Sequence, residues 1–483
     1  MKTVWTRIIL VGGLGLALAG CSSEPTEDSA PSASTATGAA TAGIPGAPAA
    51  KAVVLDATFG KGGISTVPLT ASTHDRFMAV AVGADGKTYA AGFISEGGDQ
   101  ALAVARIDEK GALDKTFGKD GIASVNAAIG GKAVEIARSV VVQANGKIVI
   151  AGPIEANPAA TGDAAKDTDI AVARFDAGGK IDTTFGKSGV AVIDLGAGRA
   201  TSATTFVGDT SWGIGALSGD RVVLFGSKLA DGAGRTDTDF VVFALTNAGV
   251  LDTAFGAAGK VVVDLDKSVD NPRHLLVQAD GKVVATGYSS IGGVVSPVLI
   301  RMSSAGVLDN GFGRDGVANA QILPGVAESY SVSMQGDSYI IAGYGRGADA
   351  TEKVDMVVER FTANGQWDKT FGTNGLFRLD IAKDDDRARN VQVLPDGRIL
   401  VAGSGKKTAT NIDAMLVLLS KDGVADKTFG DAGILISDLG GPADAWYGIT
   451  LSADKKYAIV TGYKGTDATS GGNDDAVVAR VAL

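Results

Sequence analysis

The chain has 483 residues, 68 of them Gly, with 20% charged and 6% aromatic residues and a formal net charge of −10. That length exceeds one ordinary core, and the Gly-, Val- and Ala-rich composition favours an all-β chain of several units with many tight turns. The negative charge speaks against nucleic acid held through phosphates, one Cys excludes internal disulfides and thiolate metal clusters, and two His leave little for zinc or imidazole catalysis.

Residues 1–20 read as a signal peptide. Lys2 and Arg7 form a short positive region, and residues 8–19 form an apolar stretch too short to span a bilayer comfortably. Leu18-Ala19-Gly20-Cys21 resembles a bacterial lipobox, with Cys21 at the position that is lipidated and becomes the new N-terminus. Cleavage leaves 42 basic against 54 acidic residues, a net charge of −12. Ser22, a neutral residue after the Cys, fits sorting to the outer membrane. The membrane is then one partner, reached through the lipid on Cys21. Residues 21–51 hold the lipidated Cys and a Ser/Thr/Ala/Gly/Pro-rich tether with no apolar period and a mean reach of roughly 30 Å.

Residues 52–483 repeat. The line Asp-x-x-Phe-Gly-x-x-Gly begins at Asp56, Phe59 and Gly60, and returns at Asp114, Phe117 and Gly118 and at Asp182, Phe185 and Gly186. It continues at Asp252, Phe255 and Gly256, at Asp309, Phe312 and Gly313, at Asp368, Phe371 and Gly372, and at Asp426, Phe429 and Gly430. The intervals are 58, 68, 70, 57, 59 and 58 residues, a period that means a solenoid, a propeller or a domain array. After each motif come a first β-rich run, a second run, a turn such as Asp85-Gly86-Lys87 or Asn145-Gly146-Lys147, a third run, a variable loop and a fourth run that in five copies ends in Arg. The Asn-Gly and Asp-Gly pairs predict two-residue hairpins.

Four short antiparallel strands cannot bury both sheet faces alone, and radial stacking does so with few free edges. The expected fold is therefore a seven-bladed β-propeller of four-stranded blades. Its first motif has no blade before it, so residues 52–63 are expected to dock beside the C-terminal strand and close the ring.

The motif residues are expected to be structural. Asp accepts backbone N–H groups in an Asx-turn, Phe plugs the gap between blades, and Gly adopts backbone conformations that a Cβ forbids. Arg106, Arg174, Arg301, Arg360 and Arg480 end the fourth run, with Ala244 and Leu418 in the other two copies. Asp169, Asp355 and Asp475, five residues earlier, are their expected carboxylate neighbours. The Leu113-Asp114 to Gly121 line, the Asp-Gly-Lys turn and the Val-Ala-Arg strand together resemble the delta-60 repeat family of bacterial β-propeller proteins. Trp367, Ser218-Gly219-Asp220 and Gln335-Gly336-Asp337 depart from the pattern. The resemblance implies a propeller, often secreted or surface-attached, with no common activity.

No Ser-His-Asp order, His-Glu-x-x-His or phosphate-binding loop occurs. His74 and His274 read as surface or turn residues. The acidic runs at Asp167 and Asp169, at Asp237 and Asp239, at Asp384 to Asp386 and at Asp474 and Asp475 lack the spacing of an EF-hand and read as solvated loop charge. No cofactor is expected, with calcium left open. The variable loops at residues 153–168, 227–238 and 463–473 lie on one face, where recognition is expected. The expected role is a monomeric, non-catalytic scaffold that binds protein or glycan. The alternatives are a hydrolase or lyase with acidic residues in the central channel, and a calcium-stabilised structural protein of the envelope.

Overall fold

The structure is a computed structural model that describes residues 53–70, 75–96, 99–128, 135–200, 206–232, 234–406, 411–465 and 474–483. Residues 1–52, on which the expected leader, lipidated Cys21 and tether fall, and His74 lie outside the described residues. Among the described residues the one helical element is the short 3₁₀ turn Gly162–Lys166. No helix is long and apolar enough to cross a membrane.

Four-stranded antiparallel sheets follow one another along the chain. The second is representative: Ser139–Val142, Ile148–Glu155, Thr168–Phe175 and Val190–Ile193, paired in that order. The first strands of the seven successive units are Arg76–Val82, Ser139–Val142, Thr210–Leu217, Asp270–Val277, Val326–Gln335, Arg387–Val393 and Asp444–Leu451. The fourth and fifth units are joined by a single parallel bridge, Val295 to Val326. These first strands touch in sequence, and the last, Asp444–Leu451, also packs against Arg76–Val82.

The frame of the repeat differs from the sequence reading. The run after each motif, such as Val190–Ile193, pairs with the strand before the motif, here Thr168–Phe175. It is therefore the outer strand of the preceding sheet. The cause is the tight motif turn, which leaves the chain antiparallel to the strand it has just finished. The same offset explains the ends. Ile64–Val67 pairs with Ala476–Ala479, and Val54–Leu55 pairs with Val481–Ala482, so N-terminal chain supplies the outer strand of the last sheet.

The hairpins also differ. Gly83 donates to Lys87 O and Gly86 donates to Gly83 O, each at 2.9 Å, and within Asp85-Gly86 only Gly86 has positive φ (80°). This is a three-residue loop ending in a left-handed Gly, not a two-residue turn with two left-handed residues.

Seven apolar clusters fill the spaces between sheets, and each holds one motif Phe. Phe117 packs with Tyr89 and Val104 of the first sheet and with Ile148 and Ile150 of the second. Phe59 packs with Phe77 and Ala103 of the first sheet and with Ile459 and Val478 of the last. All seven Phe are buried, as expected of plugs. The Gly that follows is obligatory: at Gly118 (φ 52°) a Cβ would lie 2.1 Å from Ile122 O, while its N–H donates to Gly178 O of the next repeat at 2.7 Å.

Candidate functional site

The motif Asp and the strand-ending Arg form a structural clamp. Asp182 Oδ1 accepts the N–H (3.1 Å) and hydroxyl (2.6 Å) of Thr184, as expected of an Asx-turn. Its Oδ2 takes Arg174 Nε at 2.8 Å, and the guanidinium covers Phe185 at 4.6 Å. The same arrangement joins Arg106 to Asp114 and Phe117, Arg301 to Asp309 and Phe312, Arg360 to Asp368 and Phe371, and Arg480 to Asp56 and Phe59. Four of these Arg thus pair with the motif Asp eight residues later and Arg480 pairs with the motif Asp of the N-terminal segment, not with the Asp five residues before. The tight turn carries that later Asp back beside the strand end. Burial pushes the Asp182 carboxyl up, but hydrogen bonds from Lys147 and Thr184 and the charge of Arg174 hold it below the usual range.

A different set of residues faces the centre. In six first strands the ladder skips one residue: Met78, Trp212, Arg273, Tyr330, Arg389 and Tyr447. Arg138, just before Ser139–Val142, holds the equivalent place, its N–H on Ala151 O at 2.9 Å. A bulge re-aims its side chain, and all seven residues line one cavity of about 100 Å³. Arg138 lies over Trp212 at 4.0 Å, and Arg273 lies 4.7 Å from Trp212 and 4.5 Å from Tyr330. Arg273 also donates to Tyr288 Oη at 2.7 Å. Arg389 lies between Tyr330 (5.1 Å) and Tyr447 (5.0 Å), and among the described residues no carboxylate forms an ion pair with it.

His274 lines the same cavity, so it is not the turn or surface residue expected from sequence. It sits directly after a bulge, where the strand faces inward. Burial pushes it down to about 4, so it is neutral at pH 7, and its Nδ1 has no hydrogen-bond partner. Among the described residues that line the cavity there is no carboxylate, and the lining is not one of Val, Ala and Gly alone.

The acidic runs are buried or half-buried rather than fully solvated. Asp237, Asp239, Asp386 and Asp474 are all buried, because strand pairing draws them under the loops, and Asp474 pairs with Arg76. Three residues before the bulge stands a buried carboxylate: Asp75, Glu135, Asp209, Asp270, Asp386 and Asp444, with Ala327 in the remaining copy. Each accepts backbone N–H from the link that leaves the preceding sheet, for example Leu265 N to Asp270 Oδ2 at 3.2 Å and Leu439 N to Asp444 Oδ2 at 2.7 Å. Burial pushes Asp209, Asp270 and Asp386 up to about 8 and Asp444 up to about 6. Carboxylates converge at Asp169, Asp194 and Asp209, at Asp237, Asp239 and Asp264, at Asp355, Asp380 and Asp386, and at Asp413, Asp438 and Asp444, with oxygens within 4.8 Å of one another.

The sequence reading missed both the bulge ring and these carboxylates. A signal for them exists. The carboxylate stands eleven residues, and the bulge residue eight, before the left-handed turn residue at Gly86, Gly146, Asp220, Gly281, Gly397 and Lys455.

Four stretches, residues 83–117, 143–185, 278–312 and 394–429, match a family described as a β-propeller domain of unknown function, DUF5122. These four stretches are similar to the repeats of a β-propeller family. Each matched stretch runs from the inner hairpin to the motif Phe, the segment that builds the clamp. No curated protein matches the chain. Among solved structures, the propeller is similar to a protein of unknown function from Dyadobacter fermentans DSM 18053 (11% identity, 87% of this chain and 99% of that one, TM-score 0.40). It is also similar to the polysaccharide lyase Uly1 (10% identity, 84% and 89%, TM-score 0.47) and to a glucose dehydrogenase (13% identity, 70% and 95%, TM-score 0.34).

Proposed function

We propose that the chain is a closed seven-bladed propeller of the delta-60 repeat type, held at a membrane by lipid on Cys21, that binds an acidic protein or glycan without chemical turnover. Closure is supported by the packing of Asp444–Leu451 on Arg76–Val82 and by the N-terminal strand in the last sheet. The observation that carries the binding role is the ring of bulge residues. The motif positions are identical in every copy, as structural residues should be, whereas the ring reads Met78, Arg138, Trp212, Arg273, Tyr330, Arg389 and Tyr447. Three guanidinium groups against aromatic faces are weakly hydrated and present planar donors, the arrangement that favours a carboxylate or a sulfate. A cavity of about 100 Å³ admits one such group rather than a whole ligand. The rest of the ligand lies across the face with the variable loops, because the bulges sit near the starts of the first strands, at that end.

The test measures binding of the full chain to uronic-acid oligosaccharides, neutral oligosaccharides and Asp/Glu-rich peptides, beside turnover assays on the same compounds. Saturable binding of one acidic class, lost in Arg389→Met and retained in Met78→Ala, is the expected result. Equal affinity for neutral glycans sinks the acidic assignment, and turnover abolished by one channel substitution sinks the non-catalytic one. Loss of acyl labelling in Cys21→Ala tests the anchor separately.

A further inference from the structure

The carboxylates between the second and third sheets form one of four such sets among the described residues. Asp169 lies near the start of a third strand, Asp194 follows the outer strand, and Asp209 precedes the first strand of the next sheet. Their oxygens lie within 4.8 Å of one another, and Asp209 is fully buried while Asp194 is exposed. No ion pair joins any of the three to a basic residue among the described residues, and Arg199, in the same connection, pairs with none of them. Asp209 Oδ2 accepts Leu195 N–H, whereas its Oδ1, also buried, has no hydrogen-bond partner. A fourth carboxylate, Asp167, is near enough to act on Asp169 and Asp209 by its charge.

A buried carboxylate with one unpartnered oxygen, set beside two further carboxylates, is costly unless a cation joins it. The repeat supplies its own comparison. Asp239 and Asp264 occupy the places of Asp169 and Asp194 one sheet later, the same 25 residues apart. There a cation is built in: Arg235 binds Asp237, Asp239 (3.2 Å) and Asp264 (3.0 Å). In the next equivalent set Arg378 pairs with Asp355. The second-to-third junction lacks that guanidinium and has a longer connection, residues 195–208, with Gly198 N–H on Asp167 Oδ1 at 3.0 Å.

We propose that Asp169, Asp194 and Asp209 bind a calcium ion that ties the second sheet to the third. The donors are all hard oxygens, as calcium requires. Oxygens about 2.3–2.6 Å from a common ion lie up to about 5 Å apart, a spread that suits calcium better than the tighter shell of magnesium. The exposed Asp194 provides the way in, and waters fill the outer positions of the shell.

The test is calorimetric titration of the full chain, freed of divalent ions by chelation, with calcium chloride and in parallel with magnesium chloride, together with thermal unfolding. Calcium is expected to bind with a dissociation constant of about 1 mM or lower and to raise the melting temperature by a few degrees. Asp194→Asn, at an exposed position, and Asp169→Asn are each expected to weaken calcium binding by at least about tenfold with little change in metal-free melting. Asp209→Asn should remove the calcium response even where it raises metal-free stability by replacing the buried carboxyl with an amide. The proposal is overturned if calcium changes neither heat nor melting, if its effect survives both Asp194→Asn and Asp169→Asn, or if magnesium binds as tightly.

Discussion

Arg221 reaches the carboxylate of Asp252 at 2.6 Å from a strand that in other sheets supplies Lys at that place. Lys147 and Lys282 are the counterparts, on Asp182 and Asp309. The third strand of the Arg221 sheet ends in Ala244 where other copies have Arg, so the guanidinium arrives from the neighbouring hairpin instead. The other sheet without the strand-ending Arg, at Leu418, does the same: Arg398 reaches Asp426 at 3.1 Å. Two independent replacements that restore one contact identify the contact as structural. Arg174, 1% exposed, is expected to cost about 1.5–3 kcal/mol on substitution by Ala, because Asp182 keeps Lys147 but loses the buried guanidinium that also covers Phe185. Arg221→Ala, in a wetter site, should cost about 1–2 kcal/mol. Urea unfolding of both variants checks the order, and an unchanged midpoint for Arg174→Ala would refute the clamp.

The motif Phe side chains test closure. Phe255 is fully buried between the third and fourth sheets, and Phe255→Ala should cost about 3–5 kcal/mol. Phe59 sits between the last sheet and the first, the one junction bridged by distant chain. In a closed ring Phe59→Ala should cost a similar amount. If Phe59→Ala unfolds at the wild-type midpoint while Phe255→Ala does not, the ring is open at that junction.

The scaffold was legible because it depends on local chemistry repeated seven times. Asp114, Phe117 and Gly118 declare a turn, a plug and a left-handed residue wherever they occur. The partner of Arg106 was not legible, because both Asp114 and residues on its other side lie within reach along the chain, and only the return of the turn selects one. The ring at Arg138, Trp212 and Arg389 was obscured for the opposite reason. These residues differ from copy to copy, so repetition does not reveal them, and their bulges are set by pairing across strands. Asp209 and Asp270 were obscured because a carboxylate in a polar stretch reads as solvated until the neighbouring sheet covers it.

Lys455 occupies the left-handed turn position that Gly86, Gly146, Gly281 and Gly397 fill elsewhere, with φ of 56°. A Cβ in this region is strained, and relief by Gly is partly offset by a more flexible unfolded chain. Lys455→Gly should therefore raise stability by about 0.5–1 kcal/mol. An equal loss in chemical denaturation would show that the side chain, not the backbone, sets this turn.

Glu359 has no clear reason to be acidic. It lies fully buried in Asp355–Phe361, neither carboxylate oxygen has a hydrogen-bond partner, and Ala105, Ala173, Ile300 and Ala479 stand at the same place in other sheets. Burial pushes its carboxyl up to about 8, so the native protein holds a proton there at pH 7 that the unfolded chain has released. The sign follows from proton counting. Below the ordinary Glu range both states are protonated, and the group imposes no pH dependence. Between there and about pH 8 the native state binds more protons than the unfolded state, so stability falls as pH rises, by up to about 1.4 kcal/mol per pH unit. Glu359→Leu removes the proton and the unpartnered oxygens together. The variant should be more stable than the parent at every pH, with a margin that widens from pH 5 towards pH 8. Denaturant titrations of parent and variant across that range measure the margin, and a margin independent of pH would mean that Glu359 is ionised in the folded protein.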